Sequence, residues 1–309
     1  MAVNLEINPK VYNREANLAK ILPVNYETHG KENIDKALEL LDQGAKLFII
    51  ADHRSTADTT TGFAVAVKSK TEFDKLLKRS RVTIKDSYSK SRLFRALLSS
   101  FQTIGMVSPS MIDYPNSEEV MRLAFETITG TPGGNAITLN PEATRVRWGG
   151  MQQAQRGIVH YWHQFKRNPS SPPDEKIWFL PTAHERTEQQ YPNGPLGGFY
   201  YIAVGAYKHK VKFFFGEPFS LNDVITQLNF LDVPRKDRSQ MEADLVFNQV
   251  ARLHLYHPEG NPDYADGEPI LDPKTDELIE NGGGYYARLN DRLVAAGVQF
   301  PDSFIDLSA

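Results

Sequence analysis

The chain contains no cysteine among its 309 residues. This absence excludes disulfide bonds, thiolate zinc sites and thiol nucleophiles, so any nucleophilic chemistry must come from another group. The sequence also lacks any apolar run near the roughly 20 consecutive residues that a membrane-spanning helix needs. Its first residues show neither the basic-then-apolar pattern of a secretory signal nor the Arg/Ser-rich bias of a transit peptide. We therefore expect a cytoplasmic protein that is not integral to a bilayer.

Charge is distributed unevenly along the chain, although the net charge is only −3. Residues 68–95, which begin at Lys68 and end at Arg95, hold ten Lys or Arg and three Asp or Glu, an excess of seven positive charges. Residues 256–309 hold three basic and eleven acidic residues, an excess of eight negative charges. These segments are either solvated faces or, for the basic one, a surface for phosphate groups, an acyl carrier protein or a peripheral contact with anionic lipid. Nucleic acid is not expected, because only Tyr88 and Phe94 interleave the basic stretch after residue 77.

Apolar spacing predicts alternating helices and strands. A helical pattern begins at Asn33, which we expect to cap it, and ends at Gly44. The strand KLFIIA follows, and its continuous apolar run suits a sheet covered on both faces. The strands AITLN and KIWFL run into Pro141 and Pro181, with a helix predicted at residues 151–167 between them. This alternation predicts an α/β fold with a mainly parallel central sheet flanked by helices, and sites at the carboxyl ends of its strands.

Three regions are expected along the chain. Residues 1–32 read as an N-terminal arm, and residues 33–220 as the α/β domain. Residues 221–309 form a helical and irregular C-terminal extension that packs on the same domain, with an amphipathic helix predicted at residues 239–255.

The segment HRSTAD carries a candidate catalytic pair, His53 and Asp58. On one continuous helix, residues five apart would point about 140° away from each other, so the pair can meet only if His53 lies in the loop. Asp58 could then accept from one imidazole nitrogen and raise the basicity of the other, which would remove a proton from an attacking hydroxyl. This is the base and orienting acid of a serine-hydrolase triad, with a substrate hydroxyl replacing the serine. The alternative is a helix cap by Ser55 or Asp58 beside an incidental histidine.

A second segment, NPEATRVR, follows a predicted strand and places Glu142, Arg145 and Arg147 at the same edge of the sheet. If the segment is extended, the two arginines project to one side, where their guanidinium groups would hold a phosphate. A surface charge cluster is the alternative. His184 and Glu185, just beyond Pro181, either line the acceptor pocket or belong to a loop without chemistry.

Other site types find little support. His160 with His163 and His254 with His257 have the spacing of two metal ligands on a helix, but no third ligand is evident, so no metal is expected. The sequence has no P-loop, no Rossmann glycine pattern after its strands and no Gly-x-Ser-x-Gly elbow.

HRSTAD resembles the first signature of the glycerol-phosphate and lysophosphatidate acyltransferase superfamily, a His and an Asp separated by four residues after a strand. NPEATR resembles its third signature, Pro-Glu-Gly-Thr-Arg, and FLP at residues 179–181 resembles the fourth. VKFFFGEPFS is similar to the strand and turn that often follow. The resemblance covers roughly residues 33–220 in the family's order. Soluble plastid glycerol-3-phosphate acyltransferases are the nearest in type, since they share the Arg-x-Arg pair.

The resemblance implies a glycerol-3-phosphate acyltransferase-like fold and a transfer of a fatty acyl group from coenzyme A or acyl carrier protein to a hydroxyl of a glycerol-phosphate-like acceptor. It implies direct attack of that hydroxyl on the thioester, with His53 as base, Asp58 as its partner and no cofactor beyond the thioester co-substrate. The predicted substrate-binding residues are Ser55, Glu142, Thr144, Arg145, Arg147 and His184.

The family's second signature, a glycine followed by an aromatic residue and an arginine, has no counterpart. Gly105 is followed by MVSPSMID, which holds no basic residue, and Ala143 replaces the usual glycine of the third signature. This departure favours an alternative, a non-catalytic protein of the same fold that binds acidic lipid or an acyl carrier. A hydrolase that uses water as the acceptor is a third reading.

Overall fold

A computed structural model describes the backbone of most of the predicted α/β domain and of the helices that follow it. The described residues are 13, 16–17, 19–20, 23–53, 58–85, 103–106, 136–142, 151, 153–159, 162–163, 177–190, 204–255, 270–271, 278–279 and 285–298. None of the helices in these ranges is long and apolar enough to cross a membrane.

One mixed sheet organises the described strands. Its order is β1-β7-β6-β2-β5-β3-β4, and β8 also pairs with β6. Strand β6 runs antiparallel to β7 and β8, whereas every other neighbouring pair in this sheet is parallel. The strands are β1 (Tyr26–His29), β2 (Lys46–Ala51), β3 (Ser80–Lys85), β4 (Thr103–Met106), β5 (Ala136–Leu139), β6 (Ile177–Glu185), β7 (Val211–Phe215), β8 (Phe219–Ser220) and, in a separate pair, β9 (Ile270–Leu271) and β10 (Leu278–Ile279). The predicted α/β class with a mostly parallel sheet is thereby confirmed.

Helices cover both faces of this sheet. Alternate residues of β2 point to opposite faces, so Phe48 and Ile50 join one apolar core while Leu47 and Ile49 join the other. The helices are α1 (Lys31–Asp42), α2 (Asp58–Ser69), α3 (Glu72–Lys78), α4 (Thr187–Gln190), α5 (Ala206–Lys208), α6 (Leu221–Phe230), α7 (Arg238–Leu255) and α8 (Tyr285–Ala295), with a 3-10 turn at Arg156–Ile158. The first core is filled by α6, α7 and α8, and the second by α1, α2 and α3.

Helix α1 ends where the sequence predicts but begins earlier than predicted. Gly44 has a φ of 84° just after the helix, and the amides of Gly44 and Ala45 donate to Leu41 and Leu40, which is the Schellman ending that a glycine permits. The predicted cap at Asn33 is wrong, because the helix begins at Lys31. The side-chain amide of Asn33 instead donates to the carbonyl oxygen of Phe215 in β7, at 2.9 Å.

Strand β6 continues through Pro181 to Glu185, five residues beyond the predicted end at Leu180. Pro181 lies opposite Ile50 in the parallel ladder, and its carbonyl accepts from Gly216 at 2.9 Å. The proline has no amide hydrogen to donate. Its carbonyl oxygen nevertheless accepts a hydrogen bond from the segment after β7, so the strand does not end at the proline.

The predicted helix at residues 151–167 is wrong in its first part. The described residues from Met151 to Gln155 are not helical, because tertiary partners occupy their backbone groups: the Ala154 amide donates to the Tyr286 hydroxyl, and its carbonyl accepts from Gln240. The apolar residues at helical spacing, on which that prediction rested, are nevertheless buried where they are described, at Met151, Ala154, Ile158 and Trp162; Tyr161 and Phe165 lie outside the described residues.

A polar clamp fixes α7 against its neighbours. Asp244 of α7 is fully buried and accepts hydrogen bonds from Gln153 at 2.8 Å, Gln240 at 3.0 Å and the hydroxyl of Tyr285 at 2.6 Å. Burial raises the pKa of this carboxyl to about 6 despite these three donors. The clamp ties α7 to α8 and to the segment before the 3-10 turn, so the position of α7 along the sheet is specified.

Gly30 sits where no side chain fits. Its φ is 74°, and a Cβ added there would lie 2.0 Å from the carbonyl oxygen of Phe215. Gly44 has a similar φ of 84° with nothing within 4 Å of an added Cβ, which makes it a matched control. We expect Gly30→Ala to lower the free energy of unfolding by about 3 kcal/mol or more, through the left-handed conformation and the clash together, and Gly44→Ala by about 1 kcal/mol. Urea titration measures both, and equal losses would contradict the close approach of Gly30 to β7.

Candidate functional site

The carboxyl ends of three neighbouring strands meet at one edge of the sheet. Strand β2 runs parallel to both β5 and β6, and Ile50 lies opposite Leu139 on one side and Pro181 on the other. The residues that follow β2 and β5 therefore emerge beside the last residues of β6. The two predicted segments HRSTAD and NPEATRVR begin at this common edge.

His53 and Asp58 are in contact. His53 lies in the loop after β2, Asp58 is the first residue of α2, and the Nδ1 of His53 is 2.9 Å from Oδ2 of Asp58. The carboxylate is nearly buried, with 9% of its side chain exposed, while the imidazole is 28% exposed. A proton held on Nδ1 by the carboxylate leaves Nε2 as the basic nitrogen. Nε2 makes no hydrogen bond within the described part of the chain, so it is the atom available to a substrate.

The segment after β5 fixes the backbone of the His53 loop. The carboxylate of Glu142 accepts from the amide of His53 at 2.9 Å, and Asn140 donates to the carbonyls of Ala51 and Asp52 at 3.1 Å each. Glu142 is fully buried, so its carboxylate acts on the loop from inside the protein. This contact gives Glu142 a positioning role that was not predicted; its role in acceptor binding stays a prediction.

His184 lies in β6 directly behind the pair, rather than in a loop, and 3% of it is exposed. Its Nδ1 is 2.9 Å from Oδ1 of Asp52, and its Nε2 is 3.1 Å from Oδ2 of Asp58. The contact between His184 and Asp58 lacks hydrogen-bond geometry and is an ion pair. The ring also stacks on Phe213, with centroids 5.8 Å apart and planes 18° apart. The side chain that was predicted to line the acceptor pocket is thus buried between two carboxylates.

Asp52 was not predicted as a site residue, and His254 was predicted only to have the spacing of a metal ligand with His257. Both are buried, and Nε2 of His254 lies 3.1 Å from the second oxygen of Asp52. Beyond it, Nδ1 of His254 is 3.9 Å from Glu185, whose side chain is also buried. A histidine on the apolar face of α7, four residues after Val250, is the signal that could have suggested a buried partner for a carboxylate.

Imidazoles and carboxylates alternate through this cluster, and their proximity sets their ionisation. Burial opposes ionisation of Asp58, but His184 and His53 outweigh it and hold the pKa of that carboxyl well below its usual range. Burial likewise opposes the charged form of His184, but Asp52 and Asp58 outweigh it and raise the pKa of His184 well above its ordinary value. The raised pKa favours a protonated His184 at neutral pH, placed between the carboxylates of Asp52 and Asp58.

Several predicted residues are not placed. Ser55, Thr144, Arg145 and Arg147 lie outside the described residues, as does the basic segment beyond Lys85. In its described part, three of the basic side chains pair with nearby carboxylates: Lys75 with Glu72, Lys78 with Asp74, and Arg79 with Asp42.

The predicted histidine pairs take other partners where they are described. His163 contacts Glu242 at 2.8 Å, and His254 contacts Asp52 as above, while His160 and His257 lie outside the described ranges. No group of three or more His, Asp or Glu residues in those ranges has the arrangement of a metal site.

The site combines a partly exposed imidazole, a buried orienting carboxylate and a buried cation behind that carboxylate. Such an arrangement can accept a proton from a bound hydroxyl or water molecule and stabilise the imidazolium that results. No protein-family model and no curated protein sequence matches the chain, so its function must be argued from the chemistry of this site.

Proposed function

We propose that the protein is an acyltransferase of the glycerolipid type, which moves a fatty acyl group from an acyl thioester to a hydroxyl of a glycerol-phosphate-like acceptor. The observation that carries this proposal is the 2.9 Å contact between Nδ1 of His53 and Asp58, in a ring that is partly exposed at the carboxyl edge of the sheet. The ordered resemblance of HRSTAD, NPEATR and FLP to acyltransferase signatures supports it, and the α/β fold is compatible with the acyltransferase-like fold that we propose.

The proposed reaction needs one base and no covalent enzyme intermediate. Nε2 of His53 removes the proton of the acceptor hydroxyl as its oxygen attacks the thioester carbonyl, and Asp58 stabilises the imidazolium that forms. The tetrahedral intermediate then breaks its carbon–sulfur bond, and the departing thiolate receives the proton from His53. The products are an ester and a free thiol, and the base is regenerated.

The substrates are proposed from the resemblance. The donor would be a fatty acyl thioester of coenzyme A or acyl carrier protein, and the acceptor would carry a phosphate bound by Arg145 and Arg147. Planar guanidinium groups bind phosphate through two parallel hydrogen bonds, which suits an acceptor that must be held while its hydroxyl reacts.

Thiol release tests this proposal directly. Because the chain has no cysteine, a thiol-reactive dye reports only the thiol that the donor releases. The protein is incubated with a labelled long-chain acyl thioester of coenzyme A or carrier protein, with and without glycerol 3-phosphate or a lysophosphatidate. We expect thiol release that depends on the acceptor and matches the labelled ester formed.

Product analysis separates the other readings. Labelled free fatty acid, formed at the same rate with or without acceptor, would identify a hydrolase. Saturable binding of the thioester without any thiol release would identify the non-catalytic binding protein. Either result overturns the proposed transfer.

A further inference from the structure

The carboxylate that orients His53 is shared with a second imidazole. Oδ2 of Asp58 lies 2.9 Å from Nδ1 of His53 and 3.1 Å from Nε2 of His184. The other nitrogen of His184 lies 2.9 Å from Asp52. One carboxylate oxygen thus faces two imidazoles, of which His53 is partly exposed and His184 is buried.

His184 cannot easily move away from this position. Its own backbone amide donates to Asp52 at 3.2 Å, and its ring stacks on Phe213 of the neighbouring strand β7. Asp52 is held in turn by His254 of α7. Contacts from Asp52 after β2 and from Phe213 of β7, with His254 of α7 holding Asp52, therefore fix the ring that contacts Asp58.

We propose that His184 is a positioning residue of the site: its ring shares Oδ2 of Asp58 with His53, holds that carboxylate in place, and competes with His53 for the attraction of its negative charge. The effect on catalysis rests on the proposed function, whereas the effect on His53 itself does not.

The carboxylates around His53 and Asp58 explain why a nearby cation at position 184 matters. Asp58 contacts the His53 ring from α2, and Glu142 contacts its backbone amide from the segment after β5. Behind Asp58 lie Asp52 and, further along, the imidazole of His254 and the carboxylate of Glu185. Without a cation at position 184, Asp58 and the nearby Asp52 would both favour protonated His53, which cannot act as a base.

The ionisation of His184 can be measured in the unmodified protein. Nitrogen-15 correlation spectra of the imidazole side chains distinguish a neutral ring, with one protonated nitrogen, from an imidazolium with two. The chain has eight histidines, so single substitutions assign the signals. We expect His184 to remain an imidazolium at pH 7.5, and a neutral His184 ring at that pH would overturn the proposal without any variant.

The variant His184→Gln removes the positive charge while keeping a polar side chain between the two aspartates. We expect the titration midpoint of His53 to be higher in this variant than in the wild type, because a cation a few ångströms from Asp58 no longer competes with it. The matched control is His163→Gln, which breaks another imidazole–carboxylate contact, to Glu242 of α7. Glu242 and His254 are twelve residues apart on α7, which separates the control from the site by about 18 Å.

The outcomes distinguish this inference from the proposed function. A midpoint of His53 that is unchanged or lower in folded His184→Gln would overturn the inference, even if acyl transfer is observed. A raised midpoint in a protein without acyl transfer would sustain the inference and refute the acyltransferase. If both hold, the acidic limb of the kcat/KM profile moves upward by the same pH interval, which a purely structural role of His184 would not produce.

Discussion

Replacing His53 with glutamine is expected to lower kcat for acyl transfer by on the order of 10²–10⁴-fold, because a side-chain amide cannot accept a proton from a hydroxyl at neutral pH. Little change in folding is expected. The contact between His53 and Glu142 is made by the backbone amide, which the substitution leaves in place. Asp58 also keeps its buried partner His184.

Thiol release in the presence of acceptor measures the loss of activity, and urea titration of the same preparations verifies the fold. His163→Gln serves again as the control, since it replaces a partly exposed histidine that contacts a glutamate of α7. The control should retain the wild-type rate. If His53→Gln and wild type release thiol equally fast, His53 is not the base and the proposed mechanism is refuted.

The largest loss of stability is expected from Asp52→Ala. Asp52 is 1% exposed and its carboxylate contacts both His184 and His254, which are also buried. Its removal leaves the buried imidazolium of His184 with one counter-ion and deprives the amide of His184 of its acceptor. Breaking a buried charge network by deleting one partner costs about 3–5 kcal/mol, so we expect a fall of that size in the free energy of unfolding.

Asp42→Ala is the matched control for this prediction. Asp42 pairs with Arg79, but its side chain is 72% exposed, so its deletion should change the free energy of unfolding by about 1 kcal/mol or less. Denaturant titration of both variants at neutral pH gives the comparison. Equal losses at positions 42 and 52 would show that the cluster behind His53 is no more important to the fold than a surface ion pair.

Local patterns in the sequence were sufficient for two central strands and for the edge where the site lies. KLFIIA and AITL are short apolar runs whose length and composition favour buried strands, and the structure places both in the sheet. Because parallel neighbours end at one edge, the meeting of the His53 loop with Glu142 followed from the fold class alone.

The partners behind the pair were not predictable in the same way. Asp52 meets His184 across 132 residues and His254 across 202 residues, and no short pattern encodes a contact at such a separation. The extension of β6 through Pro181 was missed for a related reason, since the amide that donates to the Pro181 carbonyl belongs to Gly216, in the turn after β7. The capping prediction at Asn33 failed because the side chain of Asn33 has a distant partner. Its side-chain amide donates to a carbonyl of β7, and the helix begins before it, at Lys31.

The contact between Asp52 and His254 also bears on when the site is assembled. During synthesis the ribosome releases the loop that carries the proposed base 202 residues before the part of α7 that anchors it. Contacts of such long range form slowly, since the intervening chain must first be ordered. We therefore expect the nascent polypeptide to remain without a competent base until α7 has docked, so that the chemistry begins only once the later helices are in place.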